Sequence, residues 1–539
     1  MLGRRDPQQS LFSAQNLPHR VGADSFYGRM AAVSHVLFDD EDLKALYDAS
    51  NGRPSLPPSL LCGVMLLQFH DDVSDGEAVE RLQFDLRWQV ALDLPTDFAG
   101  FSPSSLTYFR RRLVEHGQER YAFDRFVAVG RRAGFVPDRV TLLTDTTRVR
   151  GAGAVQDTYT LLRKGMRKLL KQMGYASAAK RCGLAADTQR LVATYVEQER
   201  KAEIDWSDPE QRSAQLNVLF RDAEAVLELA ATQSDDTEVR ATGWLLVKIL
   251  GDDIEQDEQG APRLAKGTAP DRIISLTEPE MRHGRKSSAQ RFDGFKVGTT
   301  TEQTSELILD IADMPAAGSD GRALMPTLER IERHCGVTVD QVIADGAYGS
   351  GANRNACATH APAPVDLVAP LTLPADPAVH KSAFRIDLAA GTATCPQGHT
   401  VAGRAGPIKS GLPTWRFCFP RPTCEACPLF VRCVKSKRNG RSLTTHPYEA
   451  DLQAARERQA TDEFQSTYRL RSAIERKQAE LVQHGLRNTR YLGQRKRQLQ
   501  RLWTAAAVNL HRLFQLCENR NADLAALLAV QTQPLATVT

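Results

Sequence analysis

The chain has 539 residues, 42% of them hydrophobic, with 69 basic against 65 acidic residues and a formal net charge of +4. That length exceeds a single hydrophobic core, so three or four domains are expected, and a charge so near neutrality excludes a uniformly basic chain. No run of about 18 apolar residues occurs and the start Met1-Leu-Gly-Arg-Arg-Asp6 lacks an apolar signal region, so a cytoplasmic protein without membrane spans is expected.

Charge is clustered rather than spread. Basic residues gather at Arg110–Arg112, Arg163–Lys171, Lys435–Arg441 and Arg469–Arg501, and acids at Asp252–Glu258. Each basic cluster alone reads as an ordinary solvated helix face; four of them flanking carboxylate motifs make a local field for a polyanion. From about 27 to 133 the pattern is helical, with a strongly apolar Leu60–Leu67. Ser102 and Pro103 mark the start of a further helix. Tyr108, Arg110 and Arg111 project from it, as from a recognition helix laid in a DNA groove.

Val140–Asp145 reads as a buried strand, followed by a turn at Gly151–Gly153 and a helical block from about Thr158 to Leu250. Phe292–Thr301 and Glu306–Ala312 read as a hairpin, Asp320–Cys335 as a helix, and Val339–Asp345 as a strand. A short helix near Asn353–Ala358 and a strand Val365–Ala369 follow. Three strands, a helix, a strand, a helix and a strand make a mixed α/β sheet in the ribonuclease H order.

Of ten cysteines, Cys395, Cys418, Cys424, Cys427 and Cys433 crowd one stretch. The two-residue spacing of Cys424 and Cys427 suits a tetrahedral zinc, with Cys395 and Cys433 completing the set and His399 or Cys418 as alternatives. A segment this poor in apolar residues needs such a staple. Trp415, in the same segment, reads as a packing residue before a base-stacking one.

Asp145 and Asp345 each end an apolar run, where α/β sheets present catalytic groups, and Glu475 lies far downstream. Tyr468, Arg471 and Glu475 are spaced by three and four, which on one helix brings a phenol, a guanidinium and a carboxylate together. Three carboxylates from distant segments suit a pair of Mg2+ or Mn2+ ions about 3.5 to 4 Å apart. Arg471 could then hold a phosphate bidentately, with Tyr468 beside it.

The stretches Leu143-Thr-Asp145-Thr-Thr, Ala154–Tyr159, Gly284–Ser287, Arg291-Phe-Asp-Gly-Phe-Lys296, Ala344-Asp345-Gly-Ala-Tyr348, His446-Pro-Tyr448, Tyr468–Glu475, Gly485-Leu-Arg487, Arg490-Tyr491 and Thr504–Leu510 resemble a bacterial insertion-sequence DDE transposase with the Tyr-Arg-Glu signature. The resemblance is to insertion-sequence family eleven eighty-two. It implies a ribonuclease H-like catalytic core with Asp145, Asp345 and Glu475 as metal ligands, and Tyr468 and Arg471 as DNA-phosphate contacts. The related pattern has a basic residue seven positions beyond the Glu, where this chain has Val482; His484 or Arg487 is then the substitute.

The resemblance further implies a nucleoid-associated enzyme that acts as a homodimer on double-stranded DNA. It would cut at terminal inverted repeats and join the freed ends to target DNA. A nuclease of similar fold without strand transfer, and a non-catalytic DNA-binding descendant, are the alternatives. The expected division is a helical DNA-binding domain at 1–135, the first core strand at 136–155, a helical insertion at 156–265 and the remaining sheet at 266–375. A cysteine-rich, zinc-ribbon-like insertion at 376–445, the catalytic Glu helix and C-terminal helix at 446–516, and a tail at 517–539 complete it.

Overall fold

The computed structural model describes Leu2 and residues 18–48, 54–181, 183–198, 203–232, 235–285, 289–372 and 374–530. Lys286 and Ser287 of the quoted motifs, and the tail beyond 530, lie outside the described residues.

The front of the chain is helical: α1 (Phe26–Leu37), α2 (Pro58–Asp71), α3 (Asp75–Phe84), α4 (Leu86–Leu92), α5 (Ser104–Glu115) and α6 (Tyr121–Arg132). Local capping sets several starts, with Ser25 accepting from Gly28 N–H and Ser74 from Glu77 N–H. From Pro58 to Phe69 α2 is buried on all sides, as befits a helix inside a core rather than on its surface.

Strand β1 (Arg139–Arg150) does not stop at Asp145, as its apolar run suggests; it continues through Thr146-Thr-Arg-Val-Arg150 because the later strand Arg291–Glu302 pairs with it along that whole length. The helical block then contributes α7 (Thr158–Gln172), α8 (Pro209–Ala231) and α9 (Thr237–Asp253), each capped by an aspartate at 157, 208 and 236. The block has its own core, built on residues such as Leu161, Leu169, Leu219 and Leu246. The acidic segment Asp252–Glu258 is folded into the block: Asp253 is buried against Arg272 at 2.7 Å, and Ile254–Gln256 pairs with Pro262–Leu264.

The sheet resumes with β2 (Arg291–Glu302), β3 (Ile308–Pro315), α10 (Leu324–Cys335), β4 (Thr338–Ile343), α11 (Gly351–Ala358) and β5 (Asp366–Val368). β2 runs antiparallel to β1 with Asp145 opposite Thr299, and β3 runs antiparallel to β2. β4 is parallel to β1, and β5 to β4. The spatial order is β3-β2-β1-β4-β5, with the short strand Arg282–Arg285 extending the β3 edge of β2. This mixed α/β order fits a ribonuclease H-like core.

A second, five-stranded antiparallel sheet follows, made of β6 (Arg385–Asp387), β7 (Thr392–Thr394), β8 (Thr400–Ala405), β9 (Trp415–Cys418) and β10 (Ser442–Thr444). Phe384, Phe417, Phe419 and Leu443 form its small core. Trp415 lies over Gly391 and stacks on Phe417, in keeping with a packing residue.

The chain returns to the main body through α12 (Asp462–Arg469), α13 (Ser472–Gln483) and α14 (Gln494–Arg520). α14 buries Leu499, Leu502, Trp503 and Ala505–Leu510, and one hydrophobic cluster joins it to α1, α2, α6 and the sheet. The front helices and the mixed sheet therefore share a core.

Candidate active site

Asp145 sits mid-strand in β1, on the sheet face where Leu143, Ile343, Val368, Phe464 and Ile474 pack together. That packing lays α12 and α13 across the face. Asp345 lies two residues beyond β4, where its Oδ1 accepts from Ala347 N–H at 2.9 Å. Glu475 is in the first turn of α13, where a carboxylate is favoured by the helix dipole. The three line one cleft of about 910 Å³.

Arg471 ties the site together. Its Nη2 donates to Asp145 Oδ2 and its Nη1 to Glu475 Oε1, both at 2.6 Å. Asp145 is 13% exposed and Glu475 61%, so one carboxylate is held rigidly and the other is free to adjust. Burial pushes the Asp145 carboxyl up; Arg471 and the Thr146 N–H pull it down, and the nearby Asp345 and Glu475 charges raise it again, leaving it at about 6. Burial, the largest influence, thus outweighs the guanidinium beside it.

Tyr468, Arg471 and Glu475 do not share one helix. α12 ends at Arg469 and α13 starts at Ser472, and the junction is tightened by i→i+3 bonds: Arg471 N–H to Tyr468 C=O and Ile474 N–H to Arg471 C=O, each 3.1 Å. Tyr468 is half-buried, stacked on Phe464 with ring centroids 5.8 Å apart. Burial raises its hydroxyl pKa.

The remaining basic residues separate into two groups. Arg487 is exposed and lines the cleft, as do Val482 and the strand residue Arg148. His484 instead faces α2, with Nδ1 against His70 C=O and its ring 4.9 Å from that of His70; of the two substitutes, Arg487 is the one at the site. Arg490 is engaged by Asp72 and Val73 C=O, Arg495 by Glu119, and the buried Arg501 by Asp313. These three hold the body together.

Arg110 corrects the expectation for α5. It is buried, with Nη1 on Asp75 Oδ1 at 3.0 Å and its guanidinium 4.9 Å from the Tyr491 ring centroid, so it fastens α5 to α3 instead of reaching outward. Tyr108 and Arg111 are exposed, stacked on each other at 5.4 Å, with Arg111 near Glu115.

A fourth acidic residue, Asp320, was legible only as a helix-start residue. Its Oδ2 accepts from Thr146 Oγ1 and its Oδ1 from Lys296 Nζ, both at 2.6 Å, and all three line the cleft. Lys296 closes the Arg291–Lys296 motif. The available signal was the pairing of β1 and β2, which sets Lys296 opposite Arg148.

Cys395, Cys424, Cys427 and Cys433 line one small apolar cavity together with His399; Cys418 is exposed and lies outside it. Leu429 N–H points at Cys427 Sγ at 3.4 Å and Arg441 N–H at Cys424 Sγ at 3.5 Å. Among the described residues no group of three or more His, Cys, Asp or Glu side chains is closed into a metal-ligand set. The expected four-cysteine set is therefore gathered around one cavity without being found as a metal-binding group. At the carboxylates, Arg471 lies between two of the donors. Their hard oxygens, lining one cleft, are the donor type that a divalent cation takes.

Among the described residues no helix is long and apolar enough to cross a membrane. No curated protein and no solved structure matches the chain. The family described as Transposase DDE domain matches residues 394–514, which include the cysteine segment, Arg471 and Glu475. The family described as Transposase domain (DUF772) matches residues 15–112, the front helices up to Arg112. Transposase sequence thus accounts for both the front of the chain and the segment that carries Glu475, and the enzyme is a DNA transposase.

Proposed function

We propose that this transposase, of the family eleven eighty-two type, binds the terminal inverted repeats of its insertion sequence, cuts there and joins the freed ends to target DNA. Asp145, Asp345 and Glu475 would hold Mg2+ or Mn2+, and the enzyme would act as a homodimer on double-stranded DNA. The observation that carries this reading is the meeting in one cleft of three carboxylates 200 and 130 residues apart.

Bound divalent ions would polarise the scissile phosphate and ready the attacking oxygen. The protein's own groups do the positioning. Arg471, now divided between two carboxylates, can turn its fork to two phosphate oxygens as the carboxylates take up cations. Arg487 and Arg148 on the cleft wall suit the flanking phosphates, and Tyr468 borders the same site. In the joining step a 3′ hydroxyl attacks a target phosphorus; one P–O bond forms, one breaks, and the leaving 3′ oxygen takes up a proton. Tyr108 and Arg111, exposed on α5, are proposed as contacts to the end sequence.

The cysteine cavity is proposed as a structural zinc site, supported by the convergence of four sulfurs and by the two amides aimed at them. One equivalent of zinc per chain, lost in Cys424→Ser, would agree; none in the wild type would remove it.

The test of function uses DNA bearing the ends that flank the gene, a target plasmid and Mg2+ or Mn2+. Wild type should yield joined products, and Glu475→Gln should bind the ends but cut at least about a thousandfold more slowly. Cutting without joining would point to a nuclease. Normal cutting by Glu475→Gln would remove Glu475 from the site.

A further inference from the structure

Residues 156–265 hold 15 Lys and Arg against 19 Asp and Glu, so as a whole this helical block should repel DNA. The charge is unevenly placed. α7 turns Leu161, Leu162, Met166 and Leu169 into the core of the block. Its outer face is left with exposed Lys164, Lys168 and Lys171 and half-buried Arg167, at offsets of three, four and seven that share one side of a helix. These four line an open cleft of about 500 Å³, bordered by Gln172 and Glu238.

Several basic groups elsewhere in the block are paired with acids: Arg181 with Glu197, Arg190 with Asp222 at 2.7 Å and Lys248 with Asp252 at 2.8 Å. Lys164, Lys168 and Lys171 make no ion pair among the described residues. Seven residues of helix span roughly 10 Å, against about 3.4 Å per nucleotide along one DNA strand. Laid along the duplex axis, the stripe therefore runs past about three nucleotide steps of the backbone.

The block is also fixed to the catalytic body. Ala152 and Gly153 N–H both donate to Glu278 Oε2 at 3.2 Å, and Glu278 Oε1 accepts from the buried Arg497 at 2.6 Å. The turn leading from the Asp145 strand to α7 is thereby clamped to α14. Charge placed on α7 is held at a set position relative to the cleft.

We propose that this face of α7 is a second contact for the backbone of duplex DNA, outside the catalytic cleft and independent of sequence. The inference rests on the reading of the chain as an enzyme that acts on DNA. The test measures full-length protein binding to duplex DNA across a salt series. Wild type is compared with the combined variant Lys164→Gln, Arg167→Gln, Lys168→Gln, Lys171→Gln and, separately, with Glu238→Lys.

Each lost phosphate contact lowers the slope of log affinity against log salt by about 0.9. The combined variant should lose about 3 from that slope and bind on the order of a hundredfold more weakly at low salt. Glu238→Lys, which adds charge to the cleft and leaves the core of α7 intact, should bind more tightly. Unchanged slope and affinity in both variants, with wild type binding normally, would overturn the α7 contact alone. A wild type that binds DNA in a salt-dependent way but never cuts would sink the catalytic reading and leave the α7 contact standing. Wild type that binds no DNA would overturn both.

Discussion

Arg471 touches both Asp145 and Glu475, and it is mostly buried between them. A guanidinium in that place neutralises carboxylates, and on the proposed reading it would also receive a phosphate. Arg471→Ala should therefore slow single-turnover cleavage on the order of a hundredfold while Mn2+ affinity stays the same or rises, because a competing cation has gone. A fall in Mn2+ affinity would mean that Arg471 props the carboxylates up instead. Lys296 acts one step further away: it holds Asp320, which accepts from Thr146 beside Asp145. Lys296→Ala should cost about tenfold in cleavage rate, be restored in part by Lys296→Arg, and leave DNA affinity nearly unchanged; an equal loss in binding would make it a DNA contact.

At the scale of elements, the end of α2 is a fastening point. The Asp71 carboxylate accepts from Tyr27 Oη at 2.8 Å, Arg81 Nη1 at 2.6 Å and Trp88 Nε1 at 2.9 Å, with His70 Nδ1 at 2.7 Å. Burial alone would raise its pKa, but the bonds from His70, Trp88 and Tyr27 outweigh burial and bring it down to about 2. The stabilisation is complete above the ordinary carboxyl value and is lost as pH falls from about 4 to about 2, a contribution of about 2 kcal/mol. Asp71→Asn should lower Tm at pH 7, and the gap from wild type should narrow towards pH 2. A gap that stays constant with pH would contradict the ionised state. Next to this point, Gly485 has φ +79° and a Cβ there would meet Asp72 Oδ1 at 2.0 Å, so only glycine lets the turn after α13 close against α2.

At the scale of the molecule, the order of core strands and helices could be read from the chain because β3, β4 and β5 centre on short apolar runs and α10 has clear helical spacing. The three carboxylates were legible for the same reason: each lies at or just after such a run or helix start. What could not be read were pairings across long separations. Arg110 looked like a DNA contact because Asp75, 35 residues earlier, gives no local sign of facing it. The basic run after Glu475 looked continuous because Arg497 and Arg501 find their partners more than 180 residues upstream. β1 was underestimated because its second half is polar and is held by β2 on one side. The shared core of front helices and sheet was hidden for a related reason: α14, which joins them, comes last in the chain.

On the proposed function, Asp145, Asp345 and Glu475 act as one cation site when DNA is bound. Anomalous diffraction from crystals of the enzyme with end DNA and Mn2+ tests it most directly. Manganese peaks should lie between these three carboxylates, with Arg471 turned from Asp145 to a phosphate. Manganese bound elsewhere, with Arg471 still bridging Asp145 and Glu475, would contradict it.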